Sequence, residues 1–177
     1  MRAPEIIETE RLVLRPPRPP DAHVIFDLYA RDAEVTRYLV WKPHADPGMT
    51  EAFIAACIER RENGTGFPWV IERRAGGQLL GMLDLRPDGF KMDMGYVLAR
   101  PFWGKGYASE AARAVVDWAI AQAGIYRVWA TCDVENLASA RVLEKAGMQR
   151  EGLLRRWIRH ANLGEEPRDS WCYARVR

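Results

Sequence analysis

The sequence predicts an α/β (α+β) fold, a mixed and mostly antiparallel central sheet of about seven strands with helices on both faces. Three observations carry that expectation. The strand patterns Phe67–Arg73, Leu79–Arg86 and Phe90–Leu98 are joined only by the turns Ala75-Gly76-Gly77-Gln78 and Pro87-Asp88-Gly89, which forces an antiparallel meander. On either side of that meander, strand and helix patterns alternate. The chain has 177 residues, 48% hydrophobic and 28% charged, so it reads as a single domain over residues 1–177 with one core.

In chain order, Ile6–Arg15 alternates apolar and polar side chains and reads as an opening strand, ended by Pro16-Pro17 and Pro19-Pro20. Asp21 opens a helix with Val24, Ile25, Leu28 and Tyr29 on one face, and Ala33–Leu39 reads as a second, short helix. A loop with Trp41, Pro43 and Pro47 leads to a helix over Met49–Asn63, stopped by Gly64 and Gly66. After the meander, Gly106 begins a helix through Ala111, Val115, Trp118 and Ala119 that ends by Gly124. Arg127–Cys132 is a further strand and Leu137–Ala146 a further helix, closed at Gly147. The tail pairs Leu153, Leu154, Trp157 and Ile158 with Trp171, Cys172 and Tyr173 as a closing hairpin across a loop near Gly164.

Composition excludes several function classes. Lys and Arg number 26 against 24 Asp and Glu, a net charge of +2, which is too even for a direct nucleic-acid partner. Cys57, Cys132 and Cys172 are widely separated and match no metal or redox spacing, so reduced thiols in a cytoplasmic protein and no bound metal are expected. Glu5, Glu8 and Glu10 stand where an export signal would be apolar, and no run of about 18 apolar residues offers a membrane span. His23, His44 and His160 occupy unrelated contexts and read as surface or loop residues.

The chemistry-bearing stretch is Trp103–Ala111, WGKGYASEA, set between a strand ending at Leu98 and a long helix. Gly104 and Gly106 free the backbone to aim successive amides at one anion, with a helix N-terminus behind them and the charge of Lys105 beside them. A glycine pair before a helix is also ordinary turn chemistry. A Walker loop would need Ser or Thr after Lys105, where Gly106 stands, and a dinucleotide fingerprint would need a glycine at Ser109 inside a parallel unit.

A second stretch, Asn136–Gly147 (NLASARVLEKAG), together with the first resembles the GNAT acyltransferases, particularly their RimJ/RimL-like branch. Trp103-Gly104-Lys105-Gly106-Tyr107-Ala108 matches the family's Gln/Arg-x-x-Gly-x-Gly/Ala loop, with Trp103 in place of Gln or Arg. The opening ETERLVLRP, the strand Gly95-Tyr96-Val97-Leu98, and Asn136, Ser139, Lys145 and Gly147 extend the likeness over almost the whole chain.

That resemblance implies an acyl-CoA-dependent N-acetyltransferase with acetyl-CoA as cosubstrate and an amine as acceptor. Its pyrophosphate would lie on the amides of Gly104, Lys105, Gly106, Tyr107 and Ala108, with Ser109 and Lys145 completing the phosphate side. Pantetheine would pair with backbone near Val97 and Leu98, and Asn136 would anchor it, although Asn136 is also a good helix cap. Many members protonate the departing thiolate with a tyrosine at the position of Leu143, which leucine cannot replace. Ser139, one turn earlier on the same helix face, is the candidate proton donor, with helix capping or solvent exposure as the rival reading. Asp93 is the candidate base, acting through water, while Glu135 and Asp133 stand on similar grounds.

A weak base favours an acceptor that needs little deprotonation. An α-amine with pKa near 8 is about 10% neutral at pH 7, and a lysine near 10.4 well under about 0.1%. A peptide or protein N-terminus is therefore expected, in a ternary complex, with Trp41, Phe67 and Trp69 as candidate acceptor walls, although a Trp within a strand pattern, as at Trp69, is more often core. Two alternatives stay open: acetylation of a small-molecule amine such as an antibiotic, polyamine or amino acid, and an acetyl-CoA-binding module without catalysis. Trp157 and Trp171 on the closing hairpin offer apolar surface for a homodimer.

Overall fold

The computed structural model describes residues 3–177 as one eight-stranded sheet with helices on both faces. The strands are β1 (Ile7–Glu8), β2 (Leu12–Arg15), β3 (Phe67–Arg73), β4 (Leu79–Asp88), β5 (Lys91–Leu98), β6 (Arg127–Asp133), β7 (Gln149–Ile158) and β8 (Arg168–Val176). They lie in the order β1-β2-β3-β4-β5-β6-β8-β7, and every neighbouring pair is antiparallel except β5 and β6. The helices are α1 (Asp21–Ile25), α2 (Ala33–Thr36), α3 (Pro47–Glu62), α4 (Tyr107–Ile120) and α5 (Leu137–Lys145).

The meander stands where the sequence places it. The expected opening strand instead divides into β1 and β2, because the Thr9 hydroxyl takes the Leu12 amide at 3.0 Å and folds the chain back on itself. The helix expected from Asp21 continues past Ile25 as a π-helical turn, Phe26–Ala30. Its start is fixed by Arg15, whose guanidinium grips Asp21 at 2.7 and 2.8 Å and Glu72 at 2.6 Å. The second helix stops at Thr36, three residues short of Leu39, and the third begins at Pro47, with Asp46 accepting the Met49 amide at 3.3 Å. Proline at a first helical position costs nothing, since its missing N–H would have no helical partner.

Cross-strand register sorts side chains between the two faces. Phe67, Leu85 and Met94 fall on one face, as do Trp69, Leu83 and Tyr96. That face meets α4, because the rings of Phe67 and Trp69 pack edge-on against Trp118. Asp84, Arg86 and Asp93 fall on the other face, where Arg60 of α3 reaches Asp84 at 2.7 Å. Among the described residues, no helix is long and apolar enough to cross a membrane.

Candidate active site

The sheet opens between β5 and β6. Their parallel pairing runs only from Lys91–Arg127 to Asp93–Trp129, after which both strands continue, to Leu98 and to Asp133, without pairing each other. The open edge of a sheet presents backbone groups to any extended chain that enters. Ala99 donates its amide to Leu80 at 2.9 Å, so strand alternation turns the amide of Leu98 the opposite way, toward the gap. Val97 turns its carbonyl to β4, against Gly81, so closely that a Cβ on Gly81 would lie 2.1 Å from that oxygen. Glycine at 81 is what lets β4 and β5 approach at the mouth of the gap.

Below the gap lies the glycine loop. Gly104 and Gly106 have φ of 73° and 81°, the left-handed region that side chains avoid, and Gly106 occupies the cap position of α4 with no side chain closing it. Among the described residues, the amides of residues 104 to 109 have no acceptor; the first amide here with one is that of Glu110, which bonds Gly106. Six consecutive donors at the start of a 14-residue helix form a site for a pyrophosphate, and this is the fit the loop offers to coenzyme A. Tyr107, Ala108 and Ser109 contribute from the first helical turn. Lys105 bends back, its ammonium 2.8 Å from the Pro101 carbonyl.

Arg11, which sequence reasoning passed over, and Trp103, which it noted only as a departure from the family loop, hold this loop in place. Arg11 bonds Glu110 through Nε at 2.7 Å and the Lys105 carbonyl at 3.1 Å, and its guanidinium lies 4.7 Å from the centre of the Tyr107 ring. Burial pushes the Glu110 carboxyl up, but hydrogen bonds from Thr9 and from the backbone and side chain of Arg11 outweigh it and hold it below the usual carboxylate range. Trp103 folds its indole onto the Leu98 carbonyl at 2.6 Å, tying the loop to the end of β5. The only sequence signals were the ETERL stretch and the substitution of Trp for Gln or Arg.

The far wall of the gap is the start of α5. Asn136 caps that helix, its Oδ1 accepting the Ser139 amide at 3.1 Å. The Ser139 hydroxyl lies 2.6 Å from the hydroxyl of Tyr96, which reaches across from β5. Leu143, one turn further on, is fully buried. Lys145 is exposed at the end of α5, and its carbonyl takes the Arg113 side chain of α4 at 2.5 and 3.1 Å.

The candidate bases are separated from this wall. Asp93 lies on the opposite face from Tyr96, its Oδ2 held by Arg86 at 2.5 and 2.9 Å. Asp133 is buried beneath Arg168, with Arg168 Nε at 2.6 Å and the His160 ring at 3.4 Å. Burial raises its carboxyl, but the bonds from Arg168 and the Glu135 amide prevail and hold it low. Glu135 is exposed and paired with Arg168 at 2.9 Å. All three carboxylates already belong to an arginine.

Of the candidate acceptor walls, Phe67 and Trp69 are core residues, 2% and 0% exposed, because Trp118 and the sheet enclose them; neither can touch an acceptor. Trp41 is half-buried beside His44, and its carbonyl, with that of Thr36, is bound by Asn162 of the β7–β8 loop at 2.9 and 2.7 Å. That strap ties the β7–β8 loop to the segment after α2. His160 belongs to this loop, as its sequence context suggested, but is buried in it. Between the strap and the start of α5 lies a cavity of about 780 Å³ lined by Glu135, Arg155, Arg156, Glu166 and Arg168, among others. Trp157 and Leu153 are exposed on β7, at the sheet edge. Among the described residues, no group of His, Cys, Asp and Glu side chains could hold a metal ion.

Comparison with known proteins identifies an acetyltransferase (GNAT) domain over residues 11–149. An uncharacterized N-acetyltransferase of Bacillus subtilis, YoaA, is 34% identical over 160 residues, covering 86% of this chain and 88% of that one. A GNAT-family acetyltransferase from Bacillus anthracis superposes with a TM-score of 0.83 at 28% identity, covering 97% of this chain and 98% of that one. RimL, a ribosomal L7/L12 α-N-protein acetyltransferase solved in complex with coenzyme A, superposes with a TM-score of 0.85 at 21% identity over 97% and 98% of the two chains.

Proposed function

This chain belongs to the GNAT acetyltransferase family, and from that premise we propose that it moves acetyl from acetyl-CoA to the α-amine of a peptide or protein N-terminus, in a ternary complex. The amides of residues 104–109 hold the pyrophosphate, and Leu98 and Asn136 line the pantetheine arm. The thioester supplies an activated acetyl carbon. Lys105, Ser109 and Lys145 add polar surface on the phosphate side.

The observation that supports the α-amine is the engagement of the carboxylates: Asp93, Asp133 and Glu135 each accept an arginine, so none stands free to take a proton directly from an incoming amine. Asp93 receives the amine's proton through water. An α-amine, already about 10% neutral at pH 7, needs only that much help, whereas a lysine needs a hundredfold more. RimL, which shares the fold, is described as acting on a protein α-amine. Ser139 is the proton donor to the departing thiolate, and Trp41 borders the acceptor. The protein acts in the cytoplasm, with a second copy docking at β7.

The test is thiol release from acetyl-CoA against free-N-terminus peptides, N-blocked lysine peptides, polyamines, amino acids and aminoglycosides. Free N-termini are expected to turn over fastest. Faster turnover of blocked lysine peptides refutes the acceptor, and coenzyme A binding without turnover of any amine refutes catalysis.

A further inference from the structure

The gap between β5 and β6 contains a second hydroxyl besides that of Ser139. Tyr96 projects from β5 onto the α5 face, and its hydroxyl lies 2.6 Å from Ser139 Oγ and 3.2 Å from the Ser139 carbonyl oxygen. Burial pushes the Tyr96 hydroxyl well above its ordinary value, with the Ser139 hydrogen bond opposing, so it keeps its proton throughout the physiological range. Cys132, on the opposing β6 wall, is also protonated, its thiol pushed up to about 11 by burial against the pull of the Ser139 hydroxyl.

Counting protons decides what this pair can do. Tyr96 has one, and two oxygens of Ser139 are within its reach. Given to the carbonyl, it leaves the short contact to be made by the serine's own proton, which is then unavailable to anything else. Given to Oγ, it frees the serine proton and polarises that O–H bond, since a hydroxyl that accepts is a better donor. The shorter distance is to Oγ. Asn136 fixes the backbone of Ser139, its Oδ1 accepting the Ser139 amide, which anchors the turn of helix from which Oγ projects.

We propose that Tyr96 is a positioning residue for acyl transfer, donating to Ser139 Oγ and turning the serine's proton into the gap, toward the sulfur that departs. This rests on Ser139 being the proton donor. As the amine nitrogen bonds to the acetyl carbon and the carbon–sulfur bond breaks with its electron pair going to sulfur, Ser139 Oγ gives its proton to sulfur. Tyr96 replaces that proton on Oγ and recovers one from water, while the amine's proton passes through water to Asp93 and on to solvent, so the protons balance. The hydroxyl absent at Leu143 on α5 is thus supplied through the serine, from β5.

The test needs no acceptor. Affinities for coenzyme A and for desulfo-coenzyme A are measured by calorimetry from pH 7 to 9.5, a range that spans an ordinary thiol near about 8.5. In the wild type the preference for coenzyme A over its desulfo analogue is expected to rise about tenfold with pH, as the serine donor stabilises the thiolate. Tyr96→Phe is expected to remove most of that rise and Ser139→Ala all of it, with desulfo-coenzyme A affinity unchanged in both. With a turning-over peptide, Tyr96→Phe should lower kcat about thirtyfold at constant KM for acetyl-CoA, the scale of one charge-assisted hydrogen bond, and the double variant should be no worse than Ser139→Ala alone. If Ser139→Ala loses the rise and Tyr96→Phe retains it, the tyrosine's role is overturned and the serine donor stands. If neither variant changes it, both fall. Equal weakening of both ligands by Tyr96→Phe also overturns the proposal, since packing alone explains it.

Discussion

The two sides of the gap are built from different materials. On the donor side the working groups are backbone: six free amides, two left-handed glycines and the turned-out amide of Leu98. On the acceptor side they are side chains already bound to one another: Asp93 with Arg86, Asp133 and Glu135 with Arg168, Arg156 with Glu166. Backbone donors serve any ligand of the right shape and tolerate most side-chain changes around them. A set of ion pairs holds its shape only while each partner remains.

The sharpest break in that contrast is Asp133→Ala, which leaves Arg168 beside a buried cavity where the carboxylate had 1% exposure. Arg168 is partly exposed and keeps Glu135, so the loss is that of the buried hydrogen bonds to Asp133, about 2–3 kcal/mol in a denaturant melt. A loss under about 1 kcal/mol would mean these ion pairs are ornamental. On the donor side, Gly106→Ala must hold a Cβ at φ 81°, a strain of about 1–2 kcal/mol. Its effect should concentrate in ligand binding, with KM for acetyl-CoA up about tenfold and the acceptor's KM unmoved; equal changes in both would erase the division between the two sides.

Acidity sharpens the same contrast. Burial depresses His160 below its ordinary value, against the attraction of Asp133, so the unfolded chain takes up a proton before the folded one does. Stability should therefore be full above about pH 6.5 and decline as pH falls toward the lower folded value. His44, depressed by burial as well, adds to the slope, and His160→Gln should flatten it in melts at pH 7, 6 and 5 without altering coenzyme A affinity. A variant as pH-sensitive as the wild type would show that the strap opens before it titrates. The smallest effect is expected at Asp93→Asn, about threefold in kcat for an α-amine, because Arg86 already occupies the carboxylate and an α-amine needs little deprotonation; a hundredfold loss would make Asp93 a true general base.

The same division explains what could be read from the sequence. Gly104, Gly106 and the strand-loop-helix order are local, and the geometry they require is a property of the residues themselves, so the phosphate loop was legible. The meander was legible for the same reason, since its turns leave no other path. Arg11 and Glu110 lie 99 residues apart and Tyr96 and Ser139 lie 43 apart, and nothing local to either partner announces the other. Trp69 in its apolar run could be read as core from the sequence, but that Phe67 and Trp69 both meet Trp118, about fifty residues on, could not. His160 is the loop histidine its context suggests, but its burial depends on Asn162 strapping that loop onto Thr36 and Trp41, which nothing nearby in sequence announces.

The unpaired stretch of β5 and β6 makes this a sheet with one place left vacant for a strand. An extended pantetheine arm lying there would satisfy backbone groups that otherwise face water, so amide hydrogen exchange at Leu98 should slow when coenzyme A is added, while exchange in β3 and β4 stays as it was. Ligand at a hundred times its dissociation constant would add about 2.7 kcal/mol to folding stability. The lifetime of the protein in a cell would then follow the supply of its own acyl donor, with starvation thinning the enzyme population as well as slowing its reaction.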